Sequence, residues 1–151
     1  MPMGQADFYI LQREDDHSRH LMVCRLVEKA WRQGHRVHIH LQTEEEAQEL
    51  DQWLWSFRPD SFIPHSLQQA PEAAAAPVTL GTGTLQARLD APAMPEPPIL
   101  INLAQSVPEF FSSFPRIAEV VTQRPDILSA SRDHFRLYRK NGYNVASHNL
   151  K

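Results

Sequence analysis

Apolar residues follow two rhythms along this chain. Phe8-Tyr9-Ile10-Leu11 is a short continuous run suited to a strand buried on both sheet faces, and the polar stretch from Gln12 to Ser18 reads as a loop. From about Arg19 the spacing becomes helical. Leu21, Cys24, Val27 or Glu28, and Trp31 recur every three or four residues, Leu26 and Ala30 widen the stripe, and Gly34 stands where a helix end commonly takes a left-handed residue. Arg36 to Leu41 then alternates strictly, setting Val37, Ile39 and Leu41 on one side of a strand.

Thr43, with Glu46 three positions on, makes a capping box for a second helix through about Trp55, its apolar side drawn from Ala47, Leu50, Leu54 and Trp53. Arg58-Pro59-Asp60 breaks it, and Phe62 to His65 is a brief extended segment. Ser66 to Pro98 holds six of the twelve prolines and the run Ala73 to Ala76, so it reads as mostly irregular, with short strands at Val78–Leu80 and Leu85–Ala87. Pro97-Pro98 acts as a breaker before Ile99-Leu100-Ile101-Asn102-Leu103, the clearest core strand. A short helix near Pro108 to Ser113, a strand at Ile117–Val121 and a helix from Pro125 to about Lys140, closed by Asn141-Gly142, complete the pattern. Alternating strands and helices imply one α/β domain, residues 1–151, in three layers: a mostly parallel sheet with helices on both faces.

Charge changes this picture only locally. The net charge of -3 argues against wrapping nucleic acid by bulk electrostatics, which needs a surplus of Lys and Arg. From Arg116 onward, however, seven basic residues face three acids, leaving the tail region at +4 and the preceding 115 residues at -7. Such asymmetry suits either a partner-facing patch or a solvated helix face. The single cysteine, Cys24, reads as a buried thiol in a reducing compartment. The start of the chain lacks the pattern of a secretory signal, and no segment approaches the roughly 20 apolar residues of a membrane helix, so a cytoplasmic protein is expected.

Catalytic and cofactor chemistry finds little support. There is no phosphate-binding Gly-rich loop with Lys-Ser/Thr; Gly81-Thr82-Gly83 lies in the irregular region and is not followed by a third glycine or a helix start. His38 and His40 point to the same side of one strand but bring no third metal ligand, and read as partly exposed strand histidines. No thiol or serine nucleophile has a recognisable partner. What remains is surface character. Arg132, Arg136 and Arg139 or Lys140 fall three or four apart beside Phe135 and Tyr138, a place for an acidic peptide with an apolar end. Equally, the aromatic residues can point inward while the basic ones are merely solvated. Trp53-Leu54-Trp55-Ser56-Phe57, followed by Phe62-Ile63-Pro64, supplies more aromatic residues than one helix face can bury, leaving candidates for a protein contact or for core packing.

At these two places the sequence resembles the DNA polymerase III chi subunit family. The resemblance rests on Phe8-Tyr9-Ile10-Leu11, Trp31-Arg32-x-Gly34-x-Arg36-Val37, Leu50-Asp51-x-x-Leu54-Trp55, Ser61-Phe62-x-Pro64-His65, Ile99 to Leu103, and the ending Tyr138-Arg139-x-x-Gly142-Tyr143-Asn144. It implies a Rossmann-like fold without a nucleotide-binding loop or cofactor. It also implies a non-catalytic accessory subunit that pairs with the psi subunit, reaches the clamp loader through it, and captures the acidic C-terminal tail of single-stranded DNA-binding protein, touching DNA mainly indirectly. By position, Arg132, Phe135 and Val121 correspond to the family's tail-binding residues, with Arg136 and Arg139 as supporting candidates; Trp55 and Phe62 correspond to psi-contacting aromatics. Two departures stand out: Phe135 lacks the hydroxyl of the family's usual Tyr, and Leu128 stands where a Lys is expected. The Pro-rich region from Gln68 to Pro98 matches poorly. The rival readings are a flavodoxin-like nucleotide- or cofactor-binding enzyme and a direct single-stranded DNA-binding module using the Arg132 to Lys140 face.

Overall fold

A computed structural model describes residues 4–60, 62–70, 73, 76–83 and 95–150. The chain runs β1 (Gly4–Leu11), α1 (Asp16–Arg32), β2 (His35–His40), α2 (Glu44–Ser56), β3 (His65–Leu67), β4 (Val78–Gly81), β5 (Glu96–Asn102), a 3₁₀ turn (Glu109–Ser113), β6 (Arg116–Val121), α3 (Pro125–Lys140) and β7 (Tyr143–Leu150). The seven strands form one sheet in the order β3-β4-β2-β5-β6-β1-β7, every pair parallel. The expected mostly parallel sheet is therefore parallel throughout its described strands.

Two apolar layers follow from strand alternation. On one face Val37, Ile39, Leu41, Ile99, Ile101 and Val120 meet Val23, Cys24 and Val27 of α1 and Ala47, Leu50 and Leu54 of α2. On the other, Phe8, Leu100, Ile117 and Val121 meet Ile127 and Tyr138 of α3, with Tyr143. Burying one such large side chain contributes about 1.5–3 kcal/mol. Cys24 is fully enclosed, and burial pushes its thiol up to about 12, so it stays a protonated packing residue.

Several elements differ from the reading of the sequence. Helix α1 begins at Asp16, inside the stretch expected to be loop, because Asp15 caps it by accepting from the Ser18 amide and hydroxyl, both at 2.8 Å. Strand β5 begins at Glu96 and runs through Pro97-Pro98 instead of after them. The pairing with β2 slips there, His35 opposing Glu96 and Val37 opposing Ile99, and such an irregularity tolerates residues that lack an amide donor. Within the supposedly irregular region, Val78–Gly81 is a strand as expected and His65–Leu67 pairs beside it; the expected Leu85–Ala87 strand lies outside the described residues. Strand β7 has no clear signal in the sequence, because an edge strand paired only with β1 keeps polar residues such as Asn144, Ser147, His148 and Asn149 in solvent.

His38 and His40 are buried, not partly exposed. They lie on the sheet face opposite Val37 and Ile39, with Phe110 edge-on against both rings at 5.7 and 5.5 Å, and His38 shares a 2.8 Å hydrogen bond with Thr79. Among the described residues no cluster of three or more His, Cys, Asp or Glu suits a metal ion, and no helix is long and apolar enough to cross a membrane.

Gly34 turns the chain from α1 into β2 with φ of +91°, and a Cβ there would lie 2.7 Å from the Pro95 ring. Gly34→Ala should therefore cost about 1–2 kcal/mol through the left-handed backbone alone, with crowding in addition. Urea unfolding followed by circular dichroism measures this; an unchanged midpoint would contradict the strain assigned to the turn.

Candidate partner-binding surfaces

Helix α3 has Pro125 at its first turn, where a missing amide costs nothing, and its inner side is fastened to the sheet by a buried polar cluster. Glu119 of β6 accepts from His134 Nδ1 at 2.7 Å, from the Tyr138 hydroxyl at 2.6 Å and from Asn102 Nδ2 at 3.3 Å. The second His134 nitrogen donates to the Gln105 carbonyl at 2.8 Å. With an acceptor on each side, the ring is satisfied only as imidazolium, opposite a carboxylate that takes three donors. Burial opposes that charge, but the hydrogen bond and charge of Glu119, with the Gln105 carbonyl, outweigh it and raise His134 above the ordinary 6.5. Burial, then the charge and hydrogen bond of Glu119, raise Tyr138 far beyond its usual range, so its hydroxyl is a permanent donor.

This anchoring decides which α3 residues face outward. Tyr138 is wholly buried, so it does not stand beside the arginines; Phe135 is half-buried and does. Between α3 and the β1–β7 ladder lies a groove of about 350 Å³. Its floor is Phe8 and Ile10, its wall Leu128 and Phe135, and Arg132 and Arg136 stand at its rim. Phe8 holds Phe135 by ring contact at 5.5 Å. Arg136 is exposed and leans on the exposed Asp133 at 3.2 Å, whereas Arg132 has no carboxylate partner among the described residues. Thus Arg132, Phe135 and Arg136 come together. Val121, 2% exposed, is packed in the apolar cluster under the groove beside Ile10, and Arg139 is exposed but outside the lining. Phe8 and Ile10 are missed as site residues by sequence reasoning, although alternation along β1 already puts them on one face.

The second candidate surface sits across the molecule, at the end of α2. Trp55 is 48% and Phe62 64% exposed, and their rings lie 5.6 Å apart, an arrangement that leaves two large apolar side chains in water. Trp55 is steadied from below by His65 at 4.4 Å, itself fixed by the Ile63 carbonyl at 2.6 Å and by Asp51 at 3.3 Å. Its neighbour Trp53 turns the other way, edge-on to His17 at 4.7 Å on α1.

A third place is the crevice beyond the carboxyl ends of β5 and β6, where open parallel sheets commonly hold ligands. Here it measures only about 110 Å³ and is occupied by the chain itself. The Arg19 guanidinium donates to the Val120 carbonyl at 2.9 Å and toward that of Leu103 at 3.4 Å, and Arg124 clamps Asp16 and Asp126, each at 2.9 Å. The starts of α1 and α3, which could otherwise face an anion, carry their own carboxylates instead.

Comparison with known proteins agrees along nearly the whole chain. The family model described as DNA polymerase III chi subunit, HolC, matches residues 3–146. DNA polymerase III subunit chi of Pseudomonas aeruginosa is 45% identical over 153 aligned positions, covering 98% of both chains. The proteins of the same name from Haemophilus influenzae and Escherichia coli are 30% and 28% identical, with at least 95% of each chain covered.

The state of His134 sets a pH dependence. A folded-state value raised above the unfolded 6.5 means that the ring's contribution to stability is fully present below about pH 6.5 and is lost as pH rises through the folded value. The stability gap between wild type and His134→Gln should therefore narrow on going from about pH 6 to about pH 9, and a constant gap would mean the ring is uncharged. Tyr138→Phe, which removes one donor from Glu119, should cost about 1–3 kcal/mol in the same urea titrations.

Proposed function

The chain belongs to the DNA polymerase III chi subunit family, and we propose that it serves the replicase as an adaptor with two protein-binding surfaces on different sides of one rigid sheet. Family membership makes it an accessory, non-catalytic subunit in DNA replication. The finer assignment is that the Trp55–Phe62 surface takes the psi subunit, linking the chain to the clamp loader, while the α3 groove takes the acidic tail of single-stranded DNA-binding protein.

The observation that carries the tail assignment is the groove's division of labour. An apolar floor and wall suit a terminal aromatic side chain, and two guanidinium groups at the mouth suit its carboxylates. Arg132 is the stronger candidate, because Arg136 already leans on Asp133. Val121 supports the floor from beneath, and Arg139 contributes long-range attraction without touching the ligand. Leu128 enlarges the apolar wall where the resemblance leads one to expect a lysine, so this groove should depend more on apolar contact and less on charge. The psi assignment is supported by the exposure of Trp55 and Phe62, which costs a lone chain contact with water and is relieved by an apolar partner.

Titration of a synthetic tail peptide, followed by calorimetry, tests the groove. Arg132→Ala should cost about 2–5 kcal/mol of binding with the fold intact. Wild-type affinity should fall with added salt yet keep a salt-resistant part, and Leu128→Lys should steepen the salt dependence. Equal affinities for wild type, Arg132→Ala and Phe135→Ala would move the tail elsewhere. Phe62→Ala should weaken the complex with psi by about 2 kcal/mol or more without unfolding the chain, and undiminished binding by a folded Trp55→Ala/Phe62→Ala double variant would refute that surface.

A further inference from the structure

Strand β1 serves two faces. Phe8 and Ile10 enter the groove under α3, whereas Asp7 and Tyr9 point to the opposite side of the sheet. There a separate groove of about 330 Å³ lies between α1 and the end of β7. The two grooves share no lining residue. The apolar floor includes Tyr9, Ala118, Leu150 and Ile99, with Met22 and Leu26 of α1 as one wall. Above it, Arg25 and Lys29 are exposed one helical turn apart, and Arg116, 44% exposed, faces them from the start of β6.

The groove exists because the helix layer stops short. Helices α1 and α2 pack over the strands from β6 to β3 and reach β1 only at Leu11, and α3 lies on the other face, so among the described residues no helix lies squarely over the Asp7–Tyr9 stretch of β1 or over β7 on this side. Parallel sheets are ordinarily covered on both faces. Its charge is also out of keeping with a chain of net charge -3. Three cations line it against a single carboxylate, Asp7, whose oxygens are engaged by His148 at 2.9 Å, by Gln5 at 3.1 Å and more loosely by Arg116 at 3.8 Å.

We propose that this groove docks an acidic peptide segment of a partner protein, apolar side chains on the floor and carboxylates paired with Arg25, Lys29 and Arg116. Charge complementarity selects the acidic partner, and the apolar floor selects one with hydrophobic anchors. Single-stranded nucleic acid fits less well. Its bases need free stacking platforms, and the available ring pair, Tyr9 on His148, is already stacked on itself at 5.0 Å. The site stands apart from the α3 groove and does not rest on the reading of that groove.

The probe is a fluorescein-labelled synthetic peptide of repeated Glu-Asp-Leu-Leu, titrated by anisotropy at low salt against the full chain, with oligo-thymidylate as a competitor. Arg25→Glu/Lys29→Glu should weaken binding about tenfold or more, because two attractive charges become repulsive. Replacing Leu by Ser in the peptide should also weaken it, and amide NMR shifts should gather on Tyr9, Met22, Leu26 and Leu150. Both substituted residues are exposed, so circular dichroism should report an unchanged fold. Binding by the Arg132→Ala chain that still depends on Arg25 and Lys29 supports the site. The proposal is overturned if wild type does not bind, or if binding ignores the Arg25/Lys29 reversal. It also fails if oligo-thymidylate binds in an Arg25/Lys29-dependent way and excludes the peptide.

Discussion

The carboxylate of Glu119 is the contact around which the second face is arranged. It is buried in a parallel sheet, where an unpaired charge would cost several kcal/mol, so it must be met by donors from more than one element. His134 and Tyr138 come from α3, and Asn102 comes from β5. Those two α3 residues are four apart, which fixes the rotation of the helix about its own axis. Arg132, Phe135 and Arg136 then have to face outward along the rim of the groove. A purely apolar α3 could slide or roll over the sheet; one held by directed hydrogen bonds cannot do so cheaply.

The same logic explains why the carboxyl ends of the strands are closed. Where a nucleotide-binding protein of this architecture leaves backbone amides and a glycine-rich turn, this chain inserts Arg19 and engages the Ser18 amide at the start of α1 with Asp15. The architecture is retained and its usual ligand crevice is filled with side chains. The open surfaces lie instead on the flanks of the sheet, as grooves beside α3 and α1 and as the exposed aromatic pair at the end of α2.

Much of this is legible in the sequence itself. Continuous apolar runs at Phe8–Leu11 and Ile99–Leu103 and strict alternation at Arg36–Leu41 mark strands, and the Thr43–Glu46 box marks α2, because each signal is local and matches one geometry. That some aromatics from Trp53 to Phe62 would stay exposed was also legible, because α2 and the segment after it carry more large apolar residues than one helix face can hide, though not which of them would do so. The burial of His38 and His40 was not, since it depends on Phe110 arriving from about seventy residues away. Nor was β7, whose polar residues are consistent with a strand only once β1 is there to pair with it. The α3 arginines could be grouped by helical spacing, but only the Glu119 cluster decides that Tyr138 turns inward and Phe135 stays at the mouth of the groove.

The position of β1 has a consequence for how the molecule is made. Strand β1 lies between β6 and β7, so both its neighbours are more than a hundred residues downstream in sequence. Closing loops of that length early is unfavourable, and β1 must wait with Phe8, Tyr9 and Ile10 unsheltered while most of the chain is translated. The strands β2 to β5 can assemble first around α1 and α2, but neither groove is complete until β1 is inserted. A nascent or truncated chain can thus display its aromatic pair at the end of α2 long before either groove is complete.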